Sequence, residues 1–454
     1  MNIKIEHQTE KTGSNSLGQS VLVKCILVGV LTLLLLIPSV WIQNLISERQ
    51  GRQEEVIGEI SDKWSGKQLV GGPVLILPYK TRLAEKDTTG RVSYRDVITN
   101  IYLLPEKLDI ASDVQPEVLH RAMFDAVVYN SKISVRGNFG ALELRKSGID
   151  PSQVLWGKAK MAIGLSDLKG LKNNPQIRLN DSVYQAESDF SSLKLFANNL
   201  IVLPDLSARK NTNLAFRFEL DVKGSSELQF MHLGKSTTVR VKGKWADPSF
   251  TGRHLPEDRQ VSGGTFNAFW KMWYFNRPLP QQWMEGNTRL SQTDNDAIFG
   301  VTFILPVDQY QKTMRSAKYA VLIILLTFIS LLFTEILNKK KVHLLQYVLI
   351  GAAMTIYYTL LLSFSEQVGF TAAYLIASLA TVLLIGIFIA AVLRDRKPAI
   401  IFSAILAIFY GFIFVIIQLQ DLALLFGSVG LFVVVAIAMY MSAQIDWTRK
   451  SLQE

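Results

Sequence analysis

The residues best able to do chemistry in this chain of 454 residues are few and scattered. Of five histidines, His120, His232 and His254 each stand alone. No HExxH metal pair, GxSxG elbow, Gly-rich phosphate loop followed by Lys, or cysteine pair occurs. Isolated histidines of this kind read as satisfied core or surface residues. Asp294-Asn295-Asp296 resembles the start of a calcium loop but lacks the mid-loop glycine and the terminal Glu, so it reads as a solvated turn. Glu366 lies in a tight polar segment between two apolar stretches. Two readings of it stay open: a solvated carboxylate, or an acceptor for a hydrogen bond or basic partner from the large domain outside the membrane. Glu335 is the one ionisable residue within the last five apolar stretches, close enough to Lys339, Lys340 and Lys341 to be expected to snorkel to the interface. No catalytic residue, metal ligand or cofactor is assigned, and the chain reads as a non-enzyme.

The elements that carry these residues are set by hydropathy. A bilayer core of about 30 Å needs about 20 helical residues to cross it. Residues 319–337, 344–364, 370–393, 399–417 and 422–441 fit, and residues 25–42 add a stretch near the N-terminus. The first stretch reads as a retained anchor: it is long for a signal h-region, and bulky neighbours including Trp41 occupy the place of a small-x-small cleavage site. The only cysteine, Cys25, follows Lys24 and not a small residue, which argues against lipoprotein acylation.

Basic residues give the orientation. Lys4, Lys11 and Lys24, then Lys339, Lys340 and Lys341, then Arg394, Arg396 and Lys397, and finally Arg449 and Lys450 mark alternate gaps, while the gaps around Glu366 and Asp421 hold no Lys or Arg. Six spans place every basic gap on one face, which the positive-inside rule makes cytoplasmic. The expected layout is a cytoplasmic tail 1–24, helix 25–42, an outer domain 43–318 with helical stalks at both ends, five more spans, and a cytoplasmic tail 442–454.

Residues 43–318 are enough for one large domain or two smaller ones. They carry 37 Lys+Arg against 30 Asp+Glu. The interspersed charges read as a solvated surface, or as attraction to an anionic membrane face or acidic polymer; nothing suggests nucleic acid. Phe216, Phe218, Leu220 and Val222 alternate with Arg217, Glu219, Asp221 and Lys223, the pattern of a half-buried strand. Ile133, Val135 and Phe139, and Ala159, Met161 and Ile163, alternate with charged or polar residues in the same way. Val239 and Val241 do so too, and the Gly234-Lys235 turn predicts a hairpin from 228–232 to 239–242. An antiparallel sheet with one wet face is expected. Leu-Pro pairs at Pro78, Pro105, Pro204 and Pro306 predict strand ends, and hint at two related halves.

Beyond Ile42, Leu45, Ile46, Val56, Ile57, Ile60 and Trp64 recur at helical spacing, predicting an outward amphipathic stalk. Asp308 is placed to N-cap a second stalk leading into 319–337. The segment Trp64-Ser65-Gly66 through Gly72-Pro73 holds the candidate interaction residues Trp64, Gly66, Gly72 and Pro73, with Glu366 as the fifth candidate. Glycines allow close backbone approach and Trp64 can anchor a contact, or Trp64 plugs the base of the domain and the glycines make turns. Residues four apart, Ala373, Ala377 and Thr381, then Ser403, Ala407 and Gly411, predict helix-packing seams.

Residues 299–335, FGVTFILPVDQYQKTMRSAKYAVLIILLTFISLLFTE, closely resemble the second-span region of the CreD inner-membrane protein family. EISDKWSGKQLVGGPVLILP within 52–78, WADPSFTGRHLP at 245–256, FNRP at 275–278 and LLSFSEQVGF at 361–370 agree with it. The resemblance implies a bacterial inner-membrane protein, hence a periplasmic outer domain, concerned with cell-envelope integrity, colicin tolerance and the output of a two-component stress system. It supplies no catalytic residues. It also implies His after Glu366 in many relatives; Gln367 here leaves no acid–imidazole pair for proton chemistry.

The expected fold is thus a multi-pass α-helical membrane protein of six transmembrane helices, with a large β-rich antiparallel periplasmic domain inserted between helices 1 and 2. Its partners would be the bilayer and an envelope lipid, glycan or protein that the domain binds or shields. A transporter or lipid-handling protein is the alternative and needs a cavity among the spans. An envelope hydrolase would have to use Glu366, Asp294 and Asp296.

Overall fold

The computed structural model describes residues 21–86, 92–144, 148–189, 195–277, 279–285, 296–305, 309–338, 340, 342–419 and 422–443. Asp294 and Asp308, and with them the calcium-like turn and the second stalk's cap, lie outside the described residues. The chain divides into two compact units, with boundaries after Arg52 and after Pro306.

The first unit is helical. Helix α1, Val21–Trp64, belongs to it as far as Arg52 and to the second unit beyond. It is followed, after the second unit, by α2 (Gln309–Lys318), α3 (Ala320–Asn338), α4 (Leu344–Val368), α5 (Phe370–Leu393), α6 (Arg396–Gln418) and α7 (Ala423–Ala443). Five of these, α1, α3, α4, α5 and α6, are long and apolar enough to cross a membrane, and α7 is apolar as well. Polar caps mark where the chain turns. Asp395 accepts from the Lys397 N–H at the start of α6, and the Gln346 side chain accepts from the His343 N–H at the start of α4. Leu375, Leu379, Leu383 and Ile387 on α5 are more than half exposed, an apolar stripe of the kind suited to contact with lipid.

The seams are only half as the small residues suggest. On α5, Ala373, Ala377 and Thr381 are buried. On α6 the stripe turns outward: Ala407 and Gly411 are exposed and Ser403 is half-buried, its hydroxyl against Gly386. The inward face of α6 is the bulky one, Phe402, Leu406, Tyr410 and Ile413, because large side chains gain far more contact on burial than alanine and glycine do.

The second unit is built from two sheets. The first contains β1 (Gln68–Lys86), β2 (Val92–Leu103), β5 (Lys160–Leu165), β8 (Glu187–Asp189), β9 (Asn198–Val202), β11 (Glu227–Met231), β13 (Pro248–Gly252), β16 (Gln282–Met284) and β17 (Ile298–Phe303). Its order is β13-β17-β11-β1-β5-β9-β8, with β2 also pairing to β1 and β16 to β2. The second contains β3 (Lys107–Arg121), β4 (Phe124–Phe139), β6 (Gln176–Leu179), β7 (Ser182–Gln185), β10 (Leu214–Ser225), β12 (Ser236–Gly243), β14 (Asp258–Ser262) and β15 (Thr265–Trp273), in the order β14-β15-β12-β3-β4-β10-β6-β7.

One hydrophobic core joins the two sheets. Trp270 of β15 packs on Phe299 of β17 with ring centres 5.5 Å apart, and Tyr129 of β4 lies 5.4 Å from Phe303. Because strands of the two sheets interleave along the chain, the unit is not a pair of successive halves. Strand β10 alternates as its sequence predicts, with Phe216, Phe218 and Leu220 inside and Arg217 and Glu219 outside. Strand β5 departs from alternation: from Met161 to Leu165 every residue is buried, as expected of a central strand covered on both faces. Two ladders are parallel, β1 with β11 and β3 with β12, so the sheets are mixed and not purely antiparallel.

The predicted hairpin from 228–232 to 239–242 does not form. β11 lies in one sheet and β12 in the other, and the Gly234-Lys235 turn carries the chain across between them. A turn signal between two alternating runs cannot distinguish a hairpin from such a crossover. Pro78 also lies inside β1, not at its end. It falls past the end of the ladder to β5 at Ile76, where pairing to β2 continues and only its carbonyl is used on the other side, accepting from the Leu155 N–H at 2.8 Å. Pro105 and Pro204 do follow the ends of β2 and β9.

Candidate functional site

In the β-rich unit, the segment from Trp64 to Pro73 is a polar knot. Where α1 ends, the Ser65 hydroxyl donates to Asp167 Oδ2 at 3.0 Å, and the Gly66 N–H donates to the same oxygen at 3.2 Å. Gln68 Nε2 donates to Ser65 Oγ at 2.9 Å and to the Asp167 carbonyl at 2.8 Å. Asp167 also receives the Lys169 N–H at 2.9 Å, while Lys169 Nζ reaches back to the Asp62 carbonyl at 2.9 Å on the last turn of α1. Partial burial pushes the Asp167 carboxyl up, but the donors from Lys169, Gly66 and Ser65 outweigh it and hold the group below the usual carboxylate range. Gly170 completes the knot, since a Cβ there would fall 2.3 Å from Gln68 Nε2.

Of the candidate interaction residues, Gly72 and Pro73 are buried in β1. Gly72 has φ +96° beside the bulge between β1 and β5, a conformation side-chain-bearing residues rarely adopt. Trp64 and Gly66 are half-buried, and Lys223 Nζ stands 5.2 Å from the Trp64 ring centre.

A second buried polar centre, of which the sequence singled out only His232 and the FNRP segment, surrounds the crossover between the sheets. Arg277, in the FNRP segment, donates from Nε to the Leu279 carbonyl at 2.9 Å, from one terminal nitrogen to the Leu233 carbonyl, and from the other to Gln281 Oε1 at 3.0 Å. Burial brings its guanidinium down to about 10. Gln281 Nε2 in turn donates to the Leu104 carbonyl at 2.6 Å. His232 is fully buried, with Nε2 3.0 Å from the Trp273 carbonyl and Nδ1 2.9 Å from Thr237 Oγ1. A carbonyl can only accept, so Nε2 carries the proton and the Thr237 hydroxyl donates to Nδ1. Burial, aided by the charge of Arg277, lowers His232 to about 4, which keeps the ring neutral. It is the satisfied core histidine expected of an isolated one. His120 is exposed and bonds Asp125 at 2.6 Å; His254, half-buried, is lowered by burial and by Arg253.

In the helical unit, Glu366 near the end of α4 is half-buried and accepts the Tyr310 hydroxyl of α2 at 2.9 Å. Tyr310 is fully buried. Glu335 does not snorkel. It is 5% exposed, paired with Lys24 of α1 through Oε1 and accepting the Tyr347 hydroxyl at 3.2 Å through Oε2. Lys24 is its counter-ion because a carboxylate shielded from water needs a charge in contact. Deeper in the bundle, Tyr357 of α4 meets Tyr358 of α4 and Tyr410 of α6 edge to face, with ring centres 4.8 Å apart in each pair. The Tyr374 hydroxyl of α5 donates to the Tyr410 carbonyl at 2.8 Å. The only sequence signal for this cluster was the recurrence of Tyr in apolar stretches, which core packing explains equally well.

Helices able to cross a bilayer, continuous in chain with a β-rich unit that has its own sealed core, define an integral membrane protein with a large folded domain between its first and second membrane-type helices in sequence. The family model "Inner membrane protein CreD" matches residues 20–448. The chain is also 30% identical over 420 residues to inner membrane protein CreD of Escherichia coli (strain K12), across 92% of each chain. It belongs to the CreD inner-membrane protein family.

Proposed function

We propose that this protein is a non-enzymatic receptor or shield of the bacterial envelope, held in the inner membrane by six spans with both termini cytoplasmic and residues 43–318 in the periplasm. In this reading its β-rich domain binds or covers an envelope component, and through it the protein supports envelope integrity, tolerance of colicins and the stress output of a two-component system. The observation that carries the reading is the second sheet: β10, β12 and the second half of β4 each turn one row into the core and the other to solvent, giving a broad, rigid polar face. The ionisable groups withdrawn from water support it as well, because Asp167, His232, Arg277 and Glu335 are each committed to bonds that hold the fold together. Trp64 and Gly66 on the domain, and Glu366 on the helical unit, are the contact residues of this proposal.

Orientation is tested by single cysteines in a Cys25→Ser background. A membrane-impermeant maleimide added to spheroplasts should label Lys132→Cys and leave Asp395→Cys unlabelled. The opposite pattern refutes the layout. Photo-crosslinking from position 66 in living cells should then capture an envelope molecule, and capture of cytoplasmic material alone would count against the receptor reading.

A further inference from the structure

Three arginines stand side by side on the exposed face of the second sheet. Arg217 of β10 is directly opposite Arg136 of β4 on one side and Arg178 of β6 on the other. Neighbouring strands are about 4.8 Å apart, so the three guanidinium stems leave the sheet within about 10 Å of one another. Like charges placed opposite each other destabilise a sheet. Local acids relieve this only in part. Arg136 lies 3.7 Å from Asp109 and Arg217 lies 3.7 Å from Glu219, both beyond hydrogen-bond reach, and Arg178 has no ion-pair partner among the described residues.

Arg178 and Arg217 also line an open cleft of about 560 Å³, together with Asn173, Asn174, Gln176 and one carboxylate, Glu219, which the two guanidinium groups outnumber. Asn173 builds the wall: its Oδ1 accepts from the Asp221 N–H at 2.9 Å and its Nδ2 donates to the Glu219 carbonyl at 3.1 Å, pinning the loop to β10. Among the described residues the amides of Asn174 and Gln176 have no such bond, and both line the cleft. The volume lies within the roughly 300–1,000 Å³ usual for small-molecule sites.

We infer that this cleft binds a saccharide carrying phosphate or carboxylate groups. Guanidinium forks match both anions bidentately, and neighbouring carboxamides match sugar hydroxyls. A concave, polar site of this kind does not suit a flat bilayer surface. The choice of a saccharide over another polyanion rests on the periplasmic placement proposed above; the anion site itself does not.

The test uses the full chain in nanodiscs of zwitterionic lipid, with calorimetric titration of trehalose 6-phosphate, digalacturonate, trehalose and inorganic phosphate. One or both anionic disaccharides should bind, trehalose should not, and the stronger of the two anions tells phosphate from carboxylate. Arg178→Gln with Arg217→Gln should weaken binding at least tenfold, while Arg217→Lys, which keeps charge but loses the fork, should fall between. The double variant's melting temperature should equal or exceed the parent's, since like-charge repulsion is relieved, so a loss of binding is not a loss of fold. The inference is overturned if neither anionic disaccharide binds, if trehalose or inorganic phosphate binds as tightly as they do, or if the double variant binds unchanged. Binding here combined with cytoplasmic labelling of Lys132→Cys would sink the orientation and leave the anion site standing.

Discussion

The two units answer a buried charge in different ways. In the helical unit the Glu335 carboxylate meets an ammonium, Lys24, from a helix 311 residues away in sequence. In the β-rich unit the Arg277 guanidinium meets carbonyl and carboxamide oxygens of Leu233, Leu279 and Gln281. The difference follows from donor geometry. A guanidinium carries five N–H groups in a plane, so loop carbonyls alone can surround it and leave it charged. A carboxylate between apolar helices finds no free backbone N–H groups, because every interior one is bonded within its helix, so it needs a cation or hydroxyl from another helix. The first arrangement fixes a loop; the second joins elements distant in sequence.

The largest effect should come from breaking the loop centre. Arg277→Ala strands several buried acceptors, each costing about 1–3 kcal/mol, and should destabilise the β-rich unit by about 4 kcal/mol, a fall in melting temperature of roughly 8–16 °C followed by tryptophan fluorescence. A change under about 1 kcal/mol would mean that the carbonyl cage is not a structural centre. Lys24→Met should come next, at about 3 kcal/mol, because Glu335 is left buried and unpaired; adding Glu335→Leu should restore most of the loss. Failure of the double replacement to recover stability would show that the charges do more than neutralise each other.

Acid sharpens the comparison from a third side. His232 has a folded pKa of about 4, below its ordinary 6.5, so between these values the unfolded chain binds the extra proton. Stability is therefore complete above about pH 6.5 and falls by roughly 1.4 kcal/mol per pH unit toward pH 4. Urea unfolding of the parent and of His232→Asn across pH 4–7 should show a steeper slope in the parent, the residual slope of the variant coming from groups such as His254 that burial also lowers. The smallest effect belongs to Tyr310→Phe, which removes the bond to Glu366 and should cost about 1 kcal/mol in the helical unit, read as a small loss of detergent-solubilised thermal stability.

Legibility in the sequence tracked the range of the interactions. The facing of β10 could be read because alternation within one strand fixes which side is wet. The crossover at Gly234-Lys235 could not, because a tight turn looks the same whether the next strand joins its neighbour or the opposite sheet. The seam on α5 was visible from Ala373 and Ala377, yet the matching stripe on α6 misled, since small residues allow close approach without compelling it. Glu335 stood out as the one ionisable residue of its apolar stretches, but its partner Lys24 did not, and only the fold brings them together. Nothing in the segment around Gly72-Pro73 separates a surface turn from a buried bulge, since glycine serves both. The arginine row was equally hidden, for it exists only through the register of three strands.

Strand β1 has another consequence. Its parallel neighbour β11 begins more than 150 residues later, and β11 is in turn flanked by β17. While the ribosome is still making the intervening chain, β1 has an unfilled edge and β3 lacks its later partner β12. The whole lobe must accordingly leave the ribosome before it can close, and at roughly 5–20 residues per second that wait lasts on the order of ten seconds or more. Throughout that interval the start of β1, Gln68 to Val70, and the first half of β3, Lys107 to Val114, present unpaired backbone, so premature termination anywhere before β17 should yield an aggregating fragment, not a smaller functional version.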